Sequence, residues 1–177
     1  MISLFRQKTP GNVIVLLIFG FLLKAPLFLY PKPVVVSEND EDLYHSLAGL
    51  LNSAGNSAPL WASVVAFLLL YIQALMINYL MNAFRMMGKP TYLPGMAYLL
   101  VTSLLPEWSF LSSPLVASTL IILAFVILFR LYNMQEASGR IYNIGLLVGI
   151  SSYIYFPSAA FMICFLLGMM ILKPFKL

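Results

Sequence analysis

Long apolar runs alternate with short polar breaks along the chain, and this alternation sets the first expectation. Six runs read as helical membrane spans, at 12–30, 59–84, 91–105, 115–132, 141–156 and 158–172. A spanning helix needs ~20 mostly apolar residues, and within hydrocarbon its backbone must satisfy its own hydrogen bonds. Proline and glycine punctuate the runs. Pro10-Gly11 precedes the first, Pro59 sits at the start of the second, and Gly88-Lys89-Pro90 ends it. Pro94-Gly95 lies near the start of the third, Pro106 and Pro114 flank the next turn, and Pro157 makes a tight hairpin between the last two. Proline suits the first turn of a helix, where its missing N–H would lack an intrahelical partner anyway. The pattern predicts an all-α polytopic transmembrane bundle forming a single domain over 1–177.

The stretch 31–58 is the one sizeable polar segment. It carries Glu38, Asp40, Glu41 and Asp42, and then Leu43, Leu47, Leu50 and Leu51 at helical spacing. That spacing predicts a short amphipathic helix lying on the membrane surface, with the acids favoured near its N-terminus by the helix dipole.

Charge orients the bundle. With the N-terminus inside, the cytoplasmic segments hold Arg6, Lys8, Arg85, Lys89, Arg130, Arg140, Lys173 and Lys176, whereas the outer side holds Lys32 and, close by, Lys24. This is a strong positive-inside bias over short loops. It predicts an inner (cytoplasmic) membrane protein with both termini cytoplasmic. Lys24 is expected to snorkel outward from the far end of the first span. That span has no small-x-small cleavage site after it, so it reads as an uncleaved first span that also directs insertion.

Composition agrees: 62% of the 177 residues are hydrophobic and 9% charged, with mean hydropathy +0.94. A soluble domain carries ~25% charged residues and, at this size, has no interior large enough for so much apolar surface. The net charge of +4 comes from scattered basic residues, not from a stripe along which a phosphate backbone could lie, so nucleic acid is not an expected partner. The lone cysteine, Cys164, lies in an apolar run and excludes an intrachain disulfide. No glycine-rich phosphate loop, HExxH, CxxC or GxSxG is present, and no cofactor is expected.

Two polar constellations remain. On the outer side, Glu38, Asp40, Glu41, Asp42 and His45 are candidates for binding or surface acid–base chemistry, and Glu107 on the next outer loop could join them. Clustered carboxylates can hold a divalent cation, and one can act as a base. The plainer reading is a hydrated acidic loop capping the surface helix, and no metal site is assigned. The second span carries Gln73, Asn78, Asn82 and Arg85; Asn78 and Asn82 share one helical face and Arg85 continues it, with interhelical hydrogen bonding as the plainer reading. The Gly145-x-x-x-Gly149 spacing would allow close helix packing.

Several segments carry a likeness: Asn12-Val13-Ile14-Val15-Leu16-Leu17, Arg140-Ile141-Tyr142-Asn143-Ile144-Gly145, Tyr155-Phe156-Pro157-Ser158 and Ile171-Leu172-Lys173-Pro174-Phe175. Together they resemble a multi-pass membrane family of unknown function from Bacteroidota. Members of that family continue past the Pro-Phe element into further spans, so the resemblance implies a native chain longer than 177 residues. A looser architectural likeness is to membrane polyprenyl-phosphate-dependent glycosyltransferases, in which an outer-loop acid acts as base or metal ligand. That likeness makes Asp40, Asp42 and Glu107 the catalytic candidates.

Three functions follow as expectations. The first is a non-catalytic membrane subunit or scaffold in a larger envelope assembly, partnered by the lipid bilayer and by another membrane protein or further copies of itself. The second is a glycosyltransferase-like enzyme, or a fragment of one, using the outer acids. A small transporter ranks third, because no span places a charge at mid-membrane.

Overall fold

The computed structural model describes residues 5, 11–32, 34, 36, 40–53, 55–105, 108, 110–132 and 138–172, except the side chain of Asn56. Among the described residues eight α-helices have assigned bounds: α1 Gly11–Leu23, α2 Ala25–Leu29, α3 Asp42–Asn52, α4 Ala58–Ala83, α5 Leu93–Leu104, α6 Ser113–Phe129, α7 Ser138–Ile154 and α8 Phe161–Leu172. A 3-10 turn at Gly55–Ser57 leads into α4, and another at Phe156–Ala160 leads into α8. Among the described residues the β structure is confined to one isolated antiparallel bridge, Asp40 with Tyr155. The fold is all-α.

Of these helices α4, with 26 residues, is long and apolar enough to cross a membrane. At 1.5 Å per residue it is about 39 Å long. α1, α5, α6 and the stretch Phe156–Leu172 are apolar but shorter. Proline occupies the first turn of α2, α4, α5, α6 and the second 3-10 turn (Pro26, Pro59, Pro94, Pro114 and Pro157); the sequence places Pro59 in a first turn and Pro94 near a helix start, but reads Pro114 as leading into its helix and Pro157 as a hairpin.

Three boundaries differ from expectation. The first apolar run is broken at Lys24, because Pro26 can neither donate into a continuing helix nor avoid the carbonyl four residues back. α7 starts at Ser138, so Arg140 belongs to its first turn and not to the preceding polar turn. α4 ends at Ala83 in a reversal in which Arg85 takes a φ of +52°. The Arg85 N–H bonds the Asn82 carbonyl and the Met86 N–H bonds the Met81 carbonyl, which is the pattern of a Schellman cap. Arg85 therefore does not continue the face of Asn78 and Asn82.

The centre of the bundle is a stripe on α4 that repeats every four residues: Ala58, Ala62, Ala66, Leu70, Ala74 and Asn78, all buried. Ridges along i±4 rows let helices interdigitate, and small side chains let their axes close in. α5 and α6 both pack on α4, while α7 and α8 pack on α6. Gly95 on α5 lies close against α4. A Cβ there would lie 3.1 Å from the Ala74 carbonyl oxygen, 3.2 Å from Leu16 Cδ2 and 3.4 Å from Asn78 Cβ. Gly95→Leu is therefore expected to lower stability in detergent by about 3 kcal/mol through overpacking, read as a shift of the denaturation midpoint. Gly95→Leu at wild-type stability would contradict this packing.

α3 buries a different face from the one its leucines predict. Tyr44 and Ala48 turn into the core, Leu43 and Leu51 pack at its margin, and Leu47 and Leu50 stay exposed. Tyr44 wins the inward position because its ring fills the core and its hydroxyl reaches a partner there. On α7 the inward residues are Ile144, Val148, Ser151 and Ile154. Gly145 and Gly149 are exposed with nothing within 4 Å of a built Cβ, so the expected close packing on them is not made within the described chain. Ser151 makes the approach to α6 instead, through its hydroxyl on the Ala117 carbonyl at 3.3 Å.

Candidate functional site

The polar side chains gather in three places along α4. At its N-terminal end, three residues from the first third of the chain hold the segment between α5 and α6. Lys24, 2% exposed, donates to the Thr102 carbonyl at 2.7 Å and the Trp108 carbonyl at 3.2 Å. The residue that would normally bond the Thr102 carbonyl within a helix is four further on, and it is Pro106, which has no N–H. The lysine supplies the missing donor, and its charge suits the negative end of the α5 dipole. Lys24 thus points into the protein and does not snorkel outward.

Asp40 is the second of the three. Its backbone forms the bridge to Tyr155, and its side chain is buried, accepting a hydrogen bond from the Ser113 hydroxyl at the start of α6. Next to it the Glu41 N–H reaches the Ile154 carbonyl at 3.5 Å. The third is Tyr44, which donates to the Leu111 carbonyl at 3.2 Å. Burial, and then the Asp40 carboxylate, push the Tyr44 phenol above its ordinary value of 10.0. A raised folded-state value means stability that is complete below pH ~10 and lost as pH rises further, because ionising the phenol is harder in the fold than in the unfolded chain. Alkaline titration of unfolding should therefore show a loss above pH 10 that Tyr44→Phe reduces; an unchanged alkaline limb in that variant would contradict the assignment.

Beneath this end lies an apolar groove of about 450 Å³ between α6 and the second 3-10 turn, with Trp108, Pro114, Phe125, Tyr155, Pro157 and Phe161 in its walls. Tyr155 lines this groove, and its backbone bridges that of Asp40.

Midway along α4, Gln73 is fully buried and ties three helices together. Its Nε2 donates to the Leu115 carbonyl at 2.9 Å, Ser118 Oγ at 3.1 Å and Thr119 Oγ1 at 2.6 Å on α6. Its Oε1 accepts from the Tyr98 hydroxyl on α5. At the C-terminal end of α4, Asn82 clamps Thr91 by accepting from the Thr91 N–H at 2.9 Å and donating to its carbonyl at 2.8 Å. Asn78 lies one turn deeper, in the wall of a second cavity of about 230 Å³ with Val13, Leu75, Tyr79, Asn82 and Tyr92.

The catalytic and binding candidates are thus dispersed. Glu38 and Glu107 lie outside the described residues. Asp40 is engaged with Ser113, Glu41 is half-buried, and Asp42 and His45 are exposed on the first turn of α3. Among the described residues no group of three or more His, Cys, Asp and Glu side chains is placed to hold a metal ion. Asn78 and Asn82 share one face, while Arg85 leaves it at the cap. The residues sequence reasoning missed are Ser113, Tyr44, Tyr98 and the inward role of Lys24. A lysine two residues before a proline inside an apolar run was the one available signal.

The geometry defines an all-helical bundle closed by polar ties at both ends and the centre of α4. No family model, curated protein or solved structure matches the chain.

Proposed function

We propose that the chain is an integral membrane protein of the bacterial inner membrane, with six crossings and both termini cytoplasmic, acting as a non-catalytic subunit or scaffold of a larger envelope assembly. The observation that carries this reading is where the buried polar groups are spent. Lys24, Asp40, Gln73 and Asn82 each tie one part of the bundle to another, which is how polar residues serve as glue in an apolar solvent. The outward surfaces of α1 and α8 favour a lipid environment. On α8 only Phe165 is buried, and Ile163 and Ile171 are 65% and 80% exposed. The test is extraction in a gentle detergent. A stable co-purifying partner, hetero- or homo-oligomeric, is expected; a monodisperse lone monomer that retains full cellular function would end the scaffold reading.

One observation favours a second reading. The 450 Å³ apolar groove, walled by Trp108 and Tyr155, has room for a lipid chain beside Asp40, which suits an enzyme acting on a polyprenyl-phosphate-linked sugar. Replacing Asp40, Asp42 and Glu107 by Asn or Gln tests it. Normal growth and envelope assembly in cells that depend on the protein would remove the enzyme reading.

A further inference from the structure

We infer that the groove between α6 and the second 3-10 turn holds one acyl chain of a bilayer phospholipid, laid along α6. The inference rests on the membrane reading above and assigns it a bound structural lipid.

The first support is shape. Pro114, Ala117, Ser118, Ile121, Ile122 and Phe125 line the groove, and on a helix this spacing of threes and fours makes one stripe. From Pro114 to Phe125 the stripe rises about 17 Å at 1.5 Å per residue. That is close to the depth of one leaflet, half of a hydrocarbon core ~30 Å thick. A volume of about 450 Å³ spread over this length has a mean cross-section of roughly 27 Å², a channel about 6 Å wide. An α-helix with its side chains is ~10–12 Å across, so neither a partner's helix nor one from a second copy enters it. A polyprenyl chain is branched at every unit and outruns the groove, whereas an unbranched acyl chain matches it in width and length.

The second support is chemistry. The two serines in the lining spend their hydroxyls inside the protein. Ser118 donates to the Leu115 carbonyl at 2.9 Å and accepts from Gln73 Nε2 at 3.1 Å. Ser158 donates to the Tyr155 carbonyl at 2.8 Å and accepts from the Ser151 hydroxyl at 3.0 Å. Neither needs a bond from the occupant, so a hydrocarbon fills the groove without stranding them. Phe161 in the wall is 42% exposed, and Phe156 and Met162, chain neighbours of lining residues, are also exposed. The groove therefore continues into an apolar surface, from which a chain enters without crossing water.

The experiment uses the full chain, reconstituted into vesicles of phosphatidylcholine with brominated or unbrominated acyl chains. Bromine quenches tryptophan fluorescence on contact. In Trp61→Phe the remaining tryptophan is Trp108, which lines the groove. The expected result is quenching of Trp108 by brominated lipid that fits a single lipid site. Ala117→Leu and Ile122→Phe fill different parts of the groove, and each should lower that quenching at least two-fold. Trp61 is exposed on α4, so in Trp108→Phe it reports ordinary lipid contact, which neither filling should change. A polyprenyl phosphate added as a minor component should relieve Trp108 quenching only in proportion to its mole fraction. An unquenched Trp108, or quenching that survives both fillings, would overturn the acyl-chain site. Relief by the polyprenyl phosphate far beyond its mole fraction would overturn it as well and give the groove to the enzyme reading. Failure to integrate into any vesicle would instead defeat the membrane reading itself, and this inference with it.

Discussion

Lys24→Ala is expected to lower the unfolding free energy by about 3 kcal/mol, since it strands two buried carbonyls at ~1–3 kcal/mol each. The bonded carbonyls are those of Thr102 in the last turn of α5 and Trp108 beyond it. Lys24→Met separates packing from bonding: it keeps the stem, loses the donors and removes the buried charge, so its loss should be smaller, about 1–2 kcal/mol. Urea titration in micelles, followed by the fluorescence of Trp61 and Trp108, reads both variants. Wild-type stability in both Lys24 variants would show that the ammonium does not cap α5.

Much of the helix order was legible in the sequence because it depends on local chemistry. The prolines at 59, 94, 114 and 157 each mark a first turn, and the apolar runs between them form the helices. The four-residue repeat through Ala58, Ala62, Ala66, Leu70, Ala74 and Asn78 was equally available. It announces the packing face of α4, yet small residues carry little hydropathy contrast and are easily overlooked in an apolar helix. The face of α3 was misjudged for a related reason. Its leucines define an apolar stripe, but Tyr44 is the residue with both a ring to bury and a hydroxyl to satisfy, and only the tertiary structure supplies the Leu111 carbonyl that makes its burial favourable.

The polar ends were harder to read, because hydrogen-bond partners distant in sequence decide them. Gln73 was visible as an interhelical hydrogen-bonding residue, and it is one, but its partners Leu115, Ser118, Thr119 and Tyr98 lie 25 to 46 residues away. Lys24 was assigned outward because a lysine near a span end ordinarily reaches water. Its inward turn depends on a carbonyl left without a donor 78 residues later. Asp40 was counted with its acidic neighbours as hydrated, whereas the bridge to Tyr155 draws it away from them and into contact with Ser113.

That contact supports the second large prediction. A carboxylate bonded to a buried hydroxyl contributes ~1.5–3 kcal/mol, so Asp40→Ala and Ser113→Ala should each cost about 2 kcal/mol. The double variant should cost little more than either alone, giving a coupling energy of about 1.5 kcal/mol in a double-mutant cycle. Additive losses would mean that the pair is not what holds the Asp40 segment on α6. Asp40→Asn adds the functional arm. The amide keeps an oxygen to accept from Ser113 and leaves the backbone bridge to Tyr155 untouched, so stability should fall by about 1 kcal/mol or less. A general base, by contrast, cannot be replaced by an amide, which takes up no proton at neutral pH. If Asp40 is a tie in a scaffold, Asp40→Asn cells build a normal envelope. If it works on a lipid-linked substrate in the adjacent groove, the same folded variant is inactive, and the second reading replaces the first.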